Sequence, residues 1–342
     1  MPESRRLWRG LALVCVDKTS LALPECPELL AHYGYQKVRK LYGNVGAELC
    51  VVIDAAGRVP LAHSDGKVYT SEKALLAKLK GSFHAGQLVL IDAGYHAFAN
   101  FKLLRARGAH FLVPAKSTAR PRMTKKLAGG NYLAEITCSE TKEKMVVRVV
   151  YVQRDGFRRR RLFTSLLDAA PYPAAELAAI YHERWHIETF YRDFKVTMQG
   201  NKWHCRSVDA FKKELVCKLI LVCLVRLAAS EAAGRGRTAP GKMSFAHGYA
   251  EFKLMFSKIL DQRKSYDLAI EWGKLVVSLV GHVIKEKPGR AFTREKNTYR
   301  KKTRARGCGK VGRPRKAHPE ASKPRIRPET LTDYKGMTWL LS

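Results

Sequence analysis

Two short apolar runs each end on an aspartate, and they limit the architecture of this chain more than any other feature. Residues 11–16 (LALVCV) lead into Asp17, and residues 87–91 (QLVLI) lead into Asp92. Apolar runs of this length without polar alternation read as strands buried on both faces. Residues 47–53 (AELCVVI) and 58–62 (RVPLA), joined by a turn at Asp54–Gly57, add a second and third strand. Residues 71–80 (SEKALLAKLK) have helical spacing, with Ser71 as the cap. A helix over 97–107 and a strand over 110–114 (HFLVP) complete the series. Three strands, a helix, a strand, a helix and a strand predict an α/β sheet with two acids at strand ends, where α/β sheets place their sites.

The rest of the chain reads differently. Residues 120–131 are polar and loop-like, while 132–138, 145–153 and 158–165 have strand patterns, so a mostly β insertion is expected. Pro173 opens a helical segment to about Met198, followed by helices over 208–230, 245–261 and 267–285, with a Gly/Arg-rich break at 234–242. From Lys285 to Arg327 there are 17 Lys+Arg against three Glu and few large apolar residues, a composition that predicts a disordered basic tail. The expected division is a core over 8–118, a β-rich insertion over 119–168, a helical part over 169–284, and the tail over 285–342.

A chain of 342 residues with 46% hydrophobic residues can bury a sizeable core. Its 63 Lys+Arg against 30 Asp+Glu leave it at +33, a charge that a polyanion neutralises, and nucleic acid is the usual one. The eight cysteines form no Cys-x-x-Cys pair, which argues against a zinc ribbon or redox motif. The longest apolar stretch, residues 215–229, contains Lys218 and Arg226 and is too short to span a bilayer, so it reads as a buried helix. With no signal peptide in its opening residues, the chain is expected to be cytoplasmic and nucleoid-associated, with no membrane partner.

The most informative segment runs from Tyr181 to Lys195 (YHERWHIETFYRDFK). On a helix, Tyr181, Arg184, Glu188, Arg192 and Lys195 share one stripe about 21 Å long, at about 1.5 Å per residue. Ile180, Ile187, Phe190, Tyr191 and Phe194 form the face that packs on a sheet. A plain solvated face with an Arg184–Glu188 ion pair would show the same periodicity. Asp54 and Asp65 lie in turn sequences, and Glu183 and Asp193 lie off the stripe. His182 and His186, at metal-pair spacing, lack a third ligand nearby and read as polar or packing residues.

The spacing Tyr-x2-Arg-x3-Glu-x6-Lys, filled here by Tyr181, Arg184, Glu188 and Lys195, resembles the signature of the Tyr-Arg-Glu-Lys group of DDE transposases from bacterial insertion sequences. Asp17, followed by Lys-Thr-Ser-Leu-Ala-Leu-Pro, is similar to that family's first catalytic segment, with Lys18 where Gly is usual. Asp92-Ala-Gly-Tyr95 is similar to the second, and Lys287–Arg294 to a basic motif near the family's C-terminus. The resemblance covers residues 11 to about 300.

The resemblance implies an RNase H-like mixed sheet flanked by helices, with a β-rich insertion before the helix that carries the glutamate. It implies that Asp17, Asp92 and Glu188 hold two Mg²⁺ ions, for which Mn²⁺ can substitute. The implied activity is endonuclease cleavage at transposon ends and strand transfer, in cut-and-paste DNA transposition. Tyr181, Arg184 and Lys195, with Arg192 on the same stripe, are then DNA contacts, and Trp185 stacks on an unpaired base or packs in the core. The implied partners are double-stranded DNA, as terminal inverted repeats and target, and a second copy in a synaptic homodimer. Independently, three carboxylates are a suitable hard-oxygen set for two-metal phosphoryl transfer.

Two other readings use the same residues: a site-selective nuclease that cuts without joining, and a non-catalytic DNA-binding inhibitor or decayed relative. Asp17 stands close to the start of the chain, which suggests a missing N-terminal DNA-binding region. Gly312-Arg313-Pro314 between basic residues resembles an AT-hook, with non-specific phosphate binding as the simpler role.

Overall fold

In the computed structural model the described residues are 7–38, 41–152, 159–261 and 267–285. The predicted basic tail, the Lys287–Arg294 motif and the AT-hook-like tripeptide lie outside them.

The expected strand ending in Asp17 is longer than its apolar run: β1 covers Ala12–Ala22. It pairs antiparallel with β3 (Leu41–Asp54) and parallel with β5 (Gln87–Ile91). β3 also pairs antiparallel with β2 (Tyr35–Val38) and β4 (Pro60–Lys67), and β5 pairs parallel with β6 (His110–Pro114). The order β4-β3-β1-β5-β6, antiparallel on one side of β1 and parallel on the other, gives the RNase H-like arrangement that was expected.

The β-rich insertion is present. Its strands are β7 (Arg122–Lys126), β8 (Tyr132–Thr137), β9 (Lys144–Val152) and β10 (Arg160–Thr164). They continue the same sheet, because β10 pairs antiparallel with β6. Arg148 on β9 is fully buried and donates to Asn131 Oδ1 at 2.8 Å, Asp168 O at 3.0 Å and Tyr172 O at 2.7 Å, tying the insertion to the loop that enters the next helix.

Helices cover both faces of the sheet, which is why residues 12–16 of β1 and 88–91 of β5 are an unbroken apolar run. Val14, Val16, Cys50, Val52, Val89 and Ile91 pack under α2 (Glu72–Lys78) and α3 (Phe98–Ala106). Cys15, Leu49, Val51, Ile53, Leu88 and Leu90 pack under the C-terminal helices. These are α4 (Ala174–Ile180), α5 (His186–Arg192), α6 (Val208–Arg235), α7 (Phe245–Leu260) and α8 (Leu268–Val280). Side-chain caps start the longer ones: Ser207 accepts from Ala210 N and Ser244 from His247 N. Ser71 caps α2 as expected, accepting from Ala74 N at 3.2 Å.

Several expectations change. A short helix, α1 (Pro27–Tyr33), follows β1, with proline in its first turn. The stretch 120–131 is not all loop: β7 is an edge strand with all five residues exposed, so its sequence carries no apolar alternation. Asp65 is no turn former; it sits inside β4 opposite Leu49 and accepts from the Tyr33 hydroxyl at 2.8 Å. Asp54 does form its turn, accepting from Gly57 N at 2.6 Å. The segment 173–198 is helical but not uniform: a 3-10 stretch over Tyr181–Trp185 and a π turn over Asp193–Thr197 flank α5. The apolar stretch 215–229, read as a buried helix, is buried on one side only, since Val216, Ile220 and Leu227 are exposed. Among the described residues, no helix is long and apolar enough to cross a membrane.

Candidate active site

Asp17 and Asp92 meet because of strand register. Val16 pairs with Ile91 across the parallel β1–β5 ladder, so the next residues on each strand are the two aspartates. Parallel neighbours stand about 4.8 Å apart. Asp17 lies on the same sheet face as Cys15, toward the C-terminal helices. Its Oδ1 accepts from Lys18 N at 2.8 Å, and its carbonyl accepts from the buried Tyr191 hydroxyl at 2.7 Å.

Asp92 leads into a 3-10 turn over Ala93–Tyr95, where its carbonyl accepts from Tyr95 N at 3.0 Å. The Asp-Ala-Gly-Tyr sequence follows from the packing. Tyr95 is fully buried with its hydroxyl 3.4 Å from Cys50 Sγ, and Asn100 donates to its carbonyl at 2.7 Å. A Cβ at position 94 would stand 2.6 Å from the Glu72 carboxylate, which would have to move aside for any larger residue.

Glu188 arrives on α5, whose Ile187, Phe190 and Tyr191 are buried against the sheet. Between Glu188 and the aspartates stands Arg184, only 7% exposed. Its guanidinium is 3.0 Å from Glu188 Oε1 and 3.7 Å from Asp17 Oδ2. The charge of Asp92 also acts on Arg184. Burial pushes the Asp17 carboxyl up to about 6, against the pull of Lys18 N–H and Arg184, and Asp92 and Glu188 add to the rise. The acids thus share one buried cation and feel one another's charge.

Among the described residues, no three acidic, imidazole or thiol groups converge at metal-ligand distance. Arg184 spans that space. The donor set is nonetheless all hard oxygen, which fits Mg²⁺ or Mn²⁺ in kind.

The other residues of the stripe are placed unequally. Tyr181 donates its hydroxyl to Ile91 O at 3.4 Å, just before Asp92, and burial raises its pKa. Lys195 Nζ, held by the π turn, donates to Thr19 Oγ1 and Ser20 O, both at 2.7 Å, and burial lowers its pKa. Trp185 is 44% exposed, with the Arg184 guanidinium 5.1 Å over its ring, so the alternative of a core tryptophan does not hold. Arg192 is exposed, and its charge acts on Asp193, Arg226 and Arg58. His182 is exposed, and His186 Nδ1 lies 2.7 Å from Ala55 O and 3.2 Å from Glu183. Lys18, in place of the usual glycine, sends its ammonium to Thr70 O at 3.2 Å and toward Glu48 at 3.7 Å.

Some supporting residues carry little sequence signal. Glu48 is buried at 5% exposure and accepts from Ser20 Oγ and Tyr69 N; an acid inside the apolar run AELCVVI was its only mark. Asp193 and Arg226 form a buried ion pair that fixes the end of the glutamate-bearing segment to α6. Nothing local links two residues that stand 33 positions apart.

The sheet order, with one acid within β1, one just after the adjacent parallel β5 and a third on α5, defines a protein of RNase H-like class. Within it, the chain belongs to the transposase DDE domain family, whose family model matches residues 8–224. It is 28% identical over 234 residues to the transposase InsG for insertion sequence element IS4 of Escherichia coli (strain K12). That match takes in 64% of this chain and 52% of the relative, so the chain spans about half the relative's length. Among solved structures, a piggyBac transposase synaptic complex with hairpin DNA matches 81% of this chain and 59% of its own, at 12% identity and a TM-score of 0.42.

Proposed function

We propose that this chain cuts DNA at the ends of a transposable element and joins the freed ends to target DNA, with Asp17, Asp92 and Glu188 as its catalytic carboxylates. The observation that supports this reading is the gathering of three acids, from two strands and a helix, around the single buried guanidinium of Arg184. Burial raises the Asp17 carboxyl, and the charges of Asp92 and Glu188 add to the rise. Two Mg²⁺ or Mn²⁺ ions held by these residues would favour the attacking hydroxyl and stabilise the leaving oxygen.

The chain's own groups prepare the site. Tyr191 and the Lys18 N–H fix Asp17 from two sides, and the Gly94 turn fixes Asp92. Arg184 orients Glu188 and is available to a scissile phosphate once its carboxylates are otherwise neutralised. Tyr181, Arg192 and Lys195 extend the contact along the DNA strand, and the exposed Trp185 stacks on an unpaired base. In cutting, a water oxygen attacks phosphorus and the 3′ oxygen leaves as a hydroxyl. In joining, that hydroxyl attacks a target phosphodiester and the target's own 3′ oxygen leaves as a hydroxyl, so no protein–DNA covalent bond forms. The active form is a homodimer that pairs two ends.

The test is cleavage of DNA carrying the sequences that flank the element, with Mg²⁺, by wild type, Asp92→Ala and Glu188→Ala. The wild type should cut and both variants should not. Binding without metal-dependent cleavage, identical in all three, would instead make the chain a non-catalytic DNA-binding protein.

A further inference from the structure

A second cleft, of about 970 Å³, opens on another face of the turn that carries Arg184. This is the upper end of the roughly 300–1,000 Å³ typical of ligand sites. In a 3-10 turn residues three apart eclipse, so Tyr181 and Arg184 face the carboxylates while Ile180, Glu183 and His186 line the cleft. The turn after β3 and the segment from the end of α6 to α7 form its other walls.

Two features of the cleft bear on what it binds. The first is charge. Its acids are engaged, Asp54 by Gly57 N and Glu183 by His186. Arg58, which lines it, has a buried Nε with no hydrogen-bond partner, and the neighbouring Arg226 has two such nitrogens. The Asp193 carboxylate, paired with Arg226, is the acid that the charges of Arg58, Arg192 and Arg226 share. Arg226 itself does not line the cleft, but the Arg58 guanidinium does, and an unpaired donor there calls for an anion. The second feature is backbone. Arg58 (φ +57°) and Arg237 (φ +50°) both adopt the left-handed conformation, uncommon outside glycine, and both line this cleft. The facing wall is apolar: Ile180, Pro240 and Trp8, whose indole is held by a 3.0 Å bond to Glu176.

We propose that this cleft binds a nucleotide unit, with its phosphate on Arg58 and Arg237 and its base against Trp8. The source is either a DNA strand running past the carboxylate site, which rests on the function proposed above, or a free nucleotide.

The experiment is fluorescence anisotropy of a short labelled oligothymidylate with the full chain, in EDTA so that no cleavage intervenes. Arg237→Glu, on an exposed loop, should weaken binding about tenfold. The double variant Arg58→Gln/Arg237→Glu should also flatten the salt dependence by about 0.7 in log–log slope, the loss of one single-strand phosphate contact. Competition with thymidine 5′-monophosphate separates the sources: displacement assigns the cleft to free nucleotides, and resistance assigns it to a DNA strand. Affinity and salt slope unchanged in Arg237→Glu, whose loop tolerates the change even if the double variant fails to fold, would overturn the proposal. Because the assay contains no metal, it stands or falls separately from DNA cutting.

Discussion

Asp17→Asn should stabilise the metal-free protein at neutral pH. The Asp17 carboxyl rises from its ordinary 3.8 to about 6, first through burial and then through Asp92 and Glu188. At about 1.36 kcal/mol per tenfold, holding Asp17 ionised in the folded protein costs about 3 kcal/mol. The folded state keeps its proton to higher pH than the unfolded chain. The cost is therefore absent below about pH 4, grows as pH rises, and is complete above about pH 6. Asparagine keeps the shape and the oxygen that accepts from Lys18 N, and Arg184 retains Glu188 at 3.0 Å. Urea unfolding in EDTA, followed by circular dichroism, should show the variant more stable by about 3 kcal/mol at about pH 8, with the gap closing toward about pH 4. A variant less stable than wild type at pH 8, or a gap that does not change with pH, would refute the electrostatic reasoning.

Other substitutions test the scaffold around the site. Arg226→Ala leaves Asp193 buried without its partner and should cost about 3–5 kcal/mol in urea unfolding. Asp193→Ala in the same background should recover part of that loss if the pair is the cause. Gly94→Ala brings a methyl to 2.6 Å from the Glu72 carboxylate and should lower cleavage and stability only modestly, because that flexible side chain can move aside. Glu72→Ala should rescue it in the double variant, and a purely additive double variant would show that Glu72 is not the obstacle.

Much of this was legible in the sequence because it is local. Asp92 stays at the end of its strand, Asp17 keeps its apolar lead-in although β1 runs on to Ala22, and the spacing of Tyr181, Arg184, Glu188 and Lys195 survives as contacts with β1, β5 and one another. The i,i+4 ion pair of Arg184 and Glu188 was visible too, but it is only half of the arrangement. The other half, Asp17, lies 167 residues upstream and is brought in by strand register, which one sequence does not encode locally. Arg192 fell on the helical stripe by periodicity, yet its charge acts on Asp193, Arg226 and Arg58, groups that periodicity does not connect. β7 was missed because an exposed edge strand is defined by its main-chain pairing with β8 rather than by its side chains. The junction of β6 with β10 was invisible for the same reason: it is a contact between distant segments.

The central claim is that Asp17, Asp92 and Glu188 form one metal-dependent centre that both cuts and joins DNA. Strand transfer tests it most directly, with pre-cut element ends carrying either a 3′-hydroxyl or a 3′-deoxy terminus, supercoiled target plasmid and Mg²⁺. The account predicts joined product from 3′-hydroxyl ends with wild type, and none from 3′-deoxy ends, from Glu188→Ala or in EDTA. Joined product at wild-type yield from Glu188→Ala would contradict it.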